Sequence, residues 1–79
     1  MSQIVSLRVL QVDQLATIAS VTAKGEMGRR IRDMGLAPGV QVSVSGRAPL
    51  YDPVALRVLG ATISLRNNEA DHILVQIEE

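Results

Sequence analysis

The run from Glu26 to Val44, EMGRRIRDMGLAPGVQVSV, does most to limit what this chain can fold into. Met27, Ile31 and Met34 stand at i, i+4 and i+7, so they share one helical face, while Arg29, Arg30 and Arg32 fall mostly off it. Gly35 stands where a helix ends in a left-handed residue. Pro38-Gly39 suits a tight turn, because proline presets φ and glycine accepts a positive φ. Val40, Val42 and Val44 then alternate with Gln41, Ser43 and Ser45, the pattern of a strand with one buried face. The spacing predicts a helix over 26–34, a glycine stop, a turn and a strand, in quick succession.

The rest of the chain has to supply a partner for that strand from a narrow palette. Of the 79 residues 47% are hydrophobic, yet there is one Tyr and neither Phe nor Trp. The core is therefore aliphatic, which suits pleated surfaces. This length makes one domain, over residues 1–79. Leu15 to Ala23 predicts a strand broken by Lys24-Gly25. Val54, Leu56 and Val58 mark another, and Gly60-Ala61 turns it back into Thr62 to Arg66 with Ile63 and Leu65 inward, a hairpin signal weaker than Asn-Gly. Asn67-Asn68 can cap a helical turn over 69–72, and Ile73, Val75 and Ile77 form the stripe of a closing strand. Ile4 to Leu10 is ambiguous: Leu7 and Leu10 suit a helical turn, Ile4, Val5 and Val9 lean to β. Arg47 to Pro53, with two prolines, reads as a loop. The sum is a mainly β fold, a small five-stranded barrel that is closed or nearly so, with one short inserted helix and a short terminal helical turn.

Composition also excludes functions. Eight basic and eight acidic residues cancel, which disfavours general nucleic-acid binding. With no cysteine, disulfides, thiolate metal sites and thiol nucleophiles are out. No apolar run approaches the length of a membrane span, and Arg8 and Asp13 interrupt any leader-like stretch, so a cytoplasmic protein is expected. No Gly-x-Ser-x-Gly, Ser-x-x-Lys or phosphate-loop spacing occurs, so neither an enzyme nor a bound cofactor is expected.

Three groups remain as candidate sites. Glu69 and His72 have the Glu-x-x-His spacing of helical di-iron ligands, but a single pair is also what a capped, solvated turn looks like. Arg29, Arg30 and Arg32 are either an ordinary solvated face or a docking face for an acidic partner, with Arg30 and Asp33 spaced for a local ion pair. Leu50 and Tyr51 either anchor a partner or cover one end of the barrel.

Taken together, Leu7-x-x-Leu10, Arg29-Arg30-Ile31-x-x-Met34-Gly35-Leu36-x-Pro38-Gly39, Ala48-Pro49-x-x-Asp52-Pro53, Val58-x-Gly60, Ile63-x-Leu65 and Glu69-Ala70-x-x-Ile73-x-Val75 resemble the FeoA family. The resemblance runs from about Leu7 to Ile77 and implies a Src-homology-3-like (SH3-like) barrel. It implies a non-enzymatic accessory protein of ferrous iron uptake that binds the cytosolic GTP-binding domain of the transporter FeoB and meets the membrane only through it. A similar domain ends iron- and manganese-dependent repressors, so a detached regulator domain that binds a peptide segment or a neighbouring domain is the alternative. Two positions depart from expectation: Asp13 where the family usually has glycine, and Gly28 inside the helix, where it costs about 1 kcal/mol relative to alanine. The oligomeric state is left open.

Overall fold

The computed structural model describes residues 2–47 and 53–78. Six strands and two short α-helices follow one another as β1 (Ser2–Ser6), a 3-10 turn (Leu7–Val9), β2 (Leu15–Val21), α1 (Gly25–Asp33), β3 (Gln41–Arg47), β4 (Val54–Val58), β5 (Ala61–Leu65), α2 (Asn67–Ala70) and β6 (Ile73–Glu78). All six strands pair antiparallel in one sheet of order β1-β6-β2-β3-β4-β5. The sheet has one more strand than expected. Half of the ambiguous N-terminal stretch is β1, laid along β6 from Ser2 opposite Glu78 to Ser6 opposite Leu74. As an edge strand exposed over Ser2 to Ile4, it lacks the alternation that marks a half-buried strand. The other half is the 3-10 turn, which buries Leu7 and Leu10 as their spacing requires.

The inward stripes meet in one aliphatic cluster. Ala16 and Ile18 of β2, Val42 and Val44 of β3, Val54, Leu56 and Val58 of β4, Leu65 of β5 and Ile73, Val75 and Ile77 of β6 are all buried in it. A flat sheet would not bring its two ends to one core. Two irregularities bend it: the β2–β6 register slips between Ile18 and Ser20, and the β3–β4 register between Val44 and Gly46. Such bulges sharpen strand twist and let a small sheet curl. Among the described residues β1 and β5 remain its edges, so the barrel is not closed by hydrogen bonds.

Helix α1 ends as the sequence dictates. Gly35 has φ +90°, its N–H donates to Arg32 O at 2.9 Å, and the Leu36 N–H donates to Ile31 O at 3.3 Å. This is a Schellman motif, sealed by contact of the fully buried Ile31 and Leu36 with the core cluster. The Pro38-Gly39 turn is strapped to β2, since Gly39 N–H donates to Ile18 O and Ile18 N–H to Val40 O, both at 2.8 Å. Gly28 is more than a weak helical residue. A Cβ there would stand 2.5 Å from the carbonyl oxygen of Ala23, so only glycine lets the helix lie this close to the link that leads into it from β2. Asp13 has φ +69°, the left-handed conformation that glycine adopts freely and aspartate tolerates.

Candidate functional site

Helix α1 presents its arginines to solvent because Met27 and Ile31 turn the opposite face to the core. Arg29, Arg30 and Arg32 are all exposed, beside Lys24, Glu26 and Asp33. The three arginines are not equivalent. The Arg30 Nε lies 3.1 Å from Glu69 Oε2, and the Glu69 side chain is only 5% exposed. The expected local pair with Asp33 gives way to this tertiary contact. Among the described residues Arg29 and Arg32 have no ion-pair partner.

Glu69 is the one buried charged residue among those described. Its other carboxylate oxygen accepts the Arg66 N–H at 3.0 Å, so both oxygens are engaged. This is the acidic half of a capping box; an arginine side chain has no acceptor to supply the other half. The reach of Glu69 places the N-cap at Arg66 and the helix over Asn67–Ala70, two residues earlier than the predicted turn. His72 is half-buried, and its backbone carbonyl accepts from the Thr22 N–H at 2.7 Å. Among the described residues no group of three His, Asp or Glu side chains is placed to hold a metal ion.

Between α1 and α2 lies an open cleft of about 370 Å³ lined by Glu26, Met27, Arg30, Arg66, Asn68 and Glu69. It holds two cations, Arg30 and Arg66, and two carboxylates, Glu26 and Glu69. On the neighbouring flank, Arg8 of the 3-10 turn meets both oxygens of Asp71 at 3.1 and 3.2 Å. Leu50 and Tyr51 lie outside the described residues, as does most of the loop between β3 and β4. The lining role of Arg66 and Glu26 was not legible beforehand, because nothing in their spacing brings the two helices together. Among the described residues no helix is long and apolar enough to cross a membrane.

Comparison with known proteins places these features in a family. The FeoA domain family matches residues 5–77. The chain is 35% identical over 71 residues to the Fe(2+) transport protein A/Fe(2+) transporter FeoB fusion protein of Porphyromonas gingivalis, covering 90% of this chain and 8% of that protein. It thus spans a small part of that relative's length. The solution structure of the FeoA-like protein of Clostridium acetobutylicum superposes with a TM-score of 0.89 at 32% identity, covering 100% of this chain and 92% of that one. The zinc complex of Stenotrophomonas maltophilia FeoA, described as a prokaryotic SH3 domain protein, superposes with a TM-score of 0.78 at 26% identity, over 91% and 94% of the two chains. The fold is accordingly SH3-like. With the family match running over residues 5–77 of the 79, the chain belongs to the FeoA family.

Proposed function

We propose that this protein is a non-enzymatic accessory of ferrous iron uptake, acting in the cytoplasm by binding the cytosolic GTP-binding domain of the ferrous iron transporter and biasing its nucleotide-dependent state. The observation that carries this reading is the Porphyromonas gingivalis relative, in which a segment similar to this chain and the transporter FeoB form one polypeptide. Covalent linkage of two modules raises their effective concentration for one another where the linker lets their surfaces meet. The Stenotrophomonas maltophilia protein, put forward as an activating factor of ferrous iron transport, supports the same reading.

The basic face of α1 is the docking element in this proposal. Arg29 and Arg32 are free to pair with carboxylates of the partner, whereas Arg30 keeps Glu69 neutralised and shapes the cleft. Leu50 and Tyr51, outside the described residues, serve as an apolar anchor for the same partner in this proposal. Glu69 and His72 are not assigned a metal, because the Glu69 oxygens are already engaged. Titration of the chain into the transporter's cytosolic GTP-binding domain, with and without a GTP analogue, tests the reading. Binding whose affinity changes with nucleotide is expected. No heat or anisotropy change up to about 500 μM, weaker than any functional contact of this kind, overturns it.

A further inference from the structure

The β4–β5 connection is a two-residue link, with Val58 opposite Ala61 and only Leu59-Gly60 between them. Both linking residues have positive φ, +53° at Leu59 and +84° at Gly60, which makes this a type I′ turn. The first position of such a turn favours Asn, Asp or Gly. Leucine enters the left-handed region roughly ten-fold less readily than glycine. Leu59 is also 81% exposed, more than any other large hydrophobic residue among those described, and it is not part of the core cluster. Strain and exposure thus fall on one side chain, and nothing inside the domain offsets either.

The surroundings of Leu59 show what would offset its exposure. Outward residues of adjacent strands line up across the sheet: Leu15 of β2 pairs with Ser43 of β3, and Ser43 with Arg57 of β4. Leu15 is 57% exposed. Leu15, Gln41, Ser43, Arg57, Leu59 and Gly60 border a groove of about 270 Å³. Through Leu15 and Gln41 it joins a second depression of about 310 Å³ that reaches Gln76 and Glu78 of β6. The groove therefore crosses four strands, with Arg57 and Leu59 at one end, Glu78 at the other and Leu15 between them on the Glu78 side. Neither Arg57 nor Glu78 has an ion-pair partner among the described residues. Three inter-strand spacings come to about 14 Å, the span of roughly four extended residues.

We infer that this groove is a second docking site, taking an extended segment of the transporter's cytosolic part that carries a carboxylate at one end, a cation about four residues away and an apolar side chain between the two. The apolar side chain sits between Leu15 and Leu59, the carboxylate meets Arg57 and the cation meets Glu78. Burying Leu59 recovers the free energy of its exposed apolar surface, and the charge pattern sets the direction of the segment. The inference rests on the transporter reading for the source of the segment; the groove and its strain do not.

Leu59→Asn separates anchoring from folding, because asparagine suits the turn and lacks the apolar body. The variant is expected to melt roughly 4–8 °C higher than the parent. In calorimetric titration against the transporter's cytosolic domain it is expected to bind at least about ten-fold more weakly, as is Arg57→Glu. Parent-like affinity of both variants overturns the groove and leaves the transporter reading standing. A parent chain that does not bind overturns that reading and, with it, the source of the segment. A Leu59→Asn variant that melts lower shows that Leu59 stabilises the domain and overturns the premise. A parent that sediments as a dimer while Leu59→Asn is a monomer gives the groove to a second copy of the chain, which also overturns the inference.

Discussion

Reversing the charge at Arg30 separates its structural role from any role in docking. The Arg30 guanidinium sits 3.1 Å from Glu69, but it is 71% exposed. Solvent screening therefore limits the attraction itself to about 1 kcal/mol or less. The larger effect is on Glu69, whose buried carboxylate would keep only the Arg66 N–H as partner. A buried charged acceptor stripped of one partner costs about 1–3 kcal/mol. The new glutamate can swing into solvent, so its repulsion adds no more than about 1 kcal/mol. Arg30→Glu should thus destabilise the fold by about 2–3 kcal/mol, a large share of the roughly 4–12 kcal/mol expected for a chain of this length. In a domain this small that lowers the melting temperature by roughly 10–20 °C. Arg29→Glu makes the same change of charge one residue away with no partner to strand, and should stay within about 0.5 kcal/mol of the parent. Thermal unfolding followed by circular dichroism measures both. In a Glu69→Gln background the cost of Arg30→Glu should shrink to about 0.5 kcal/mol, since no buried charge remains to be stranded. Equal melting temperatures for Arg30→Glu and Arg29→Glu, or an unchanged cost in the Glu69→Gln background, would refute the reasoning. A docking test should accordingly reverse Arg29 and Arg32 and leave Arg30 alone.

Other consequences follow from the same geometry. Gly28→Ala should lower stability by about 1–3 kcal/mol in urea unfolding, because overlap with the Ala23 carbonyl outweighs a helical gain of about 1 kcal/mol; a stabilised variant would mean that β2 yields there. Asp13→Ala should cost about 1–2 kcal/mol, whereas Asp13→Gly should leave the midpoint unchanged or raise it, since the position requires φ +69°. Leu56→Ala, at a fully buried site in the middle of β4, should cost about 2–5 kcal/mol and leave a measurable unfolded fraction at 37 °C by hydrogen exchange. Double reversal of Arg29 and Arg32 should weaken the transporter complex, most at low salt, with the melting temperature within about 4 °C of the parent.

Local chemistry wrote much of this protein into its sequence. Helix α1, its glycine stop and the Pro-Gly turn are contacts between near neighbours, so periodicity and conformational preference suffice to find them. The same holds for the inward stripes of β3, β4 and β6, where alternation reports one buried face. The β4–β5 hairpin was visible too, but its turn was expected at Gly60-Ala61 and lies one residue earlier, at Leu59-Gly60.

The sheet order β1-β6-β2-β3-β4-β5 decided most of the rest. It made a strand of Ser2–Ser6, whose exposed pattern carries no periodic signal, by offering the free edge of β6. It brought α2 under α1, so that Arg30 chose Glu69 over Asp33 and Glu69 became a buried cap. The link between β2 and α1 set the Ala23 carbonyl against the helix, a local contact that periodicity does not report, turning Gly28 from a weak helical residue into a required one. And the sheet order set Leu15, Ser43 and Arg57 in one row. Contacts between residues distant along the chain depend on strand register and curvature, and these are settled by how all the stripes share one core rather than by any stripe alone.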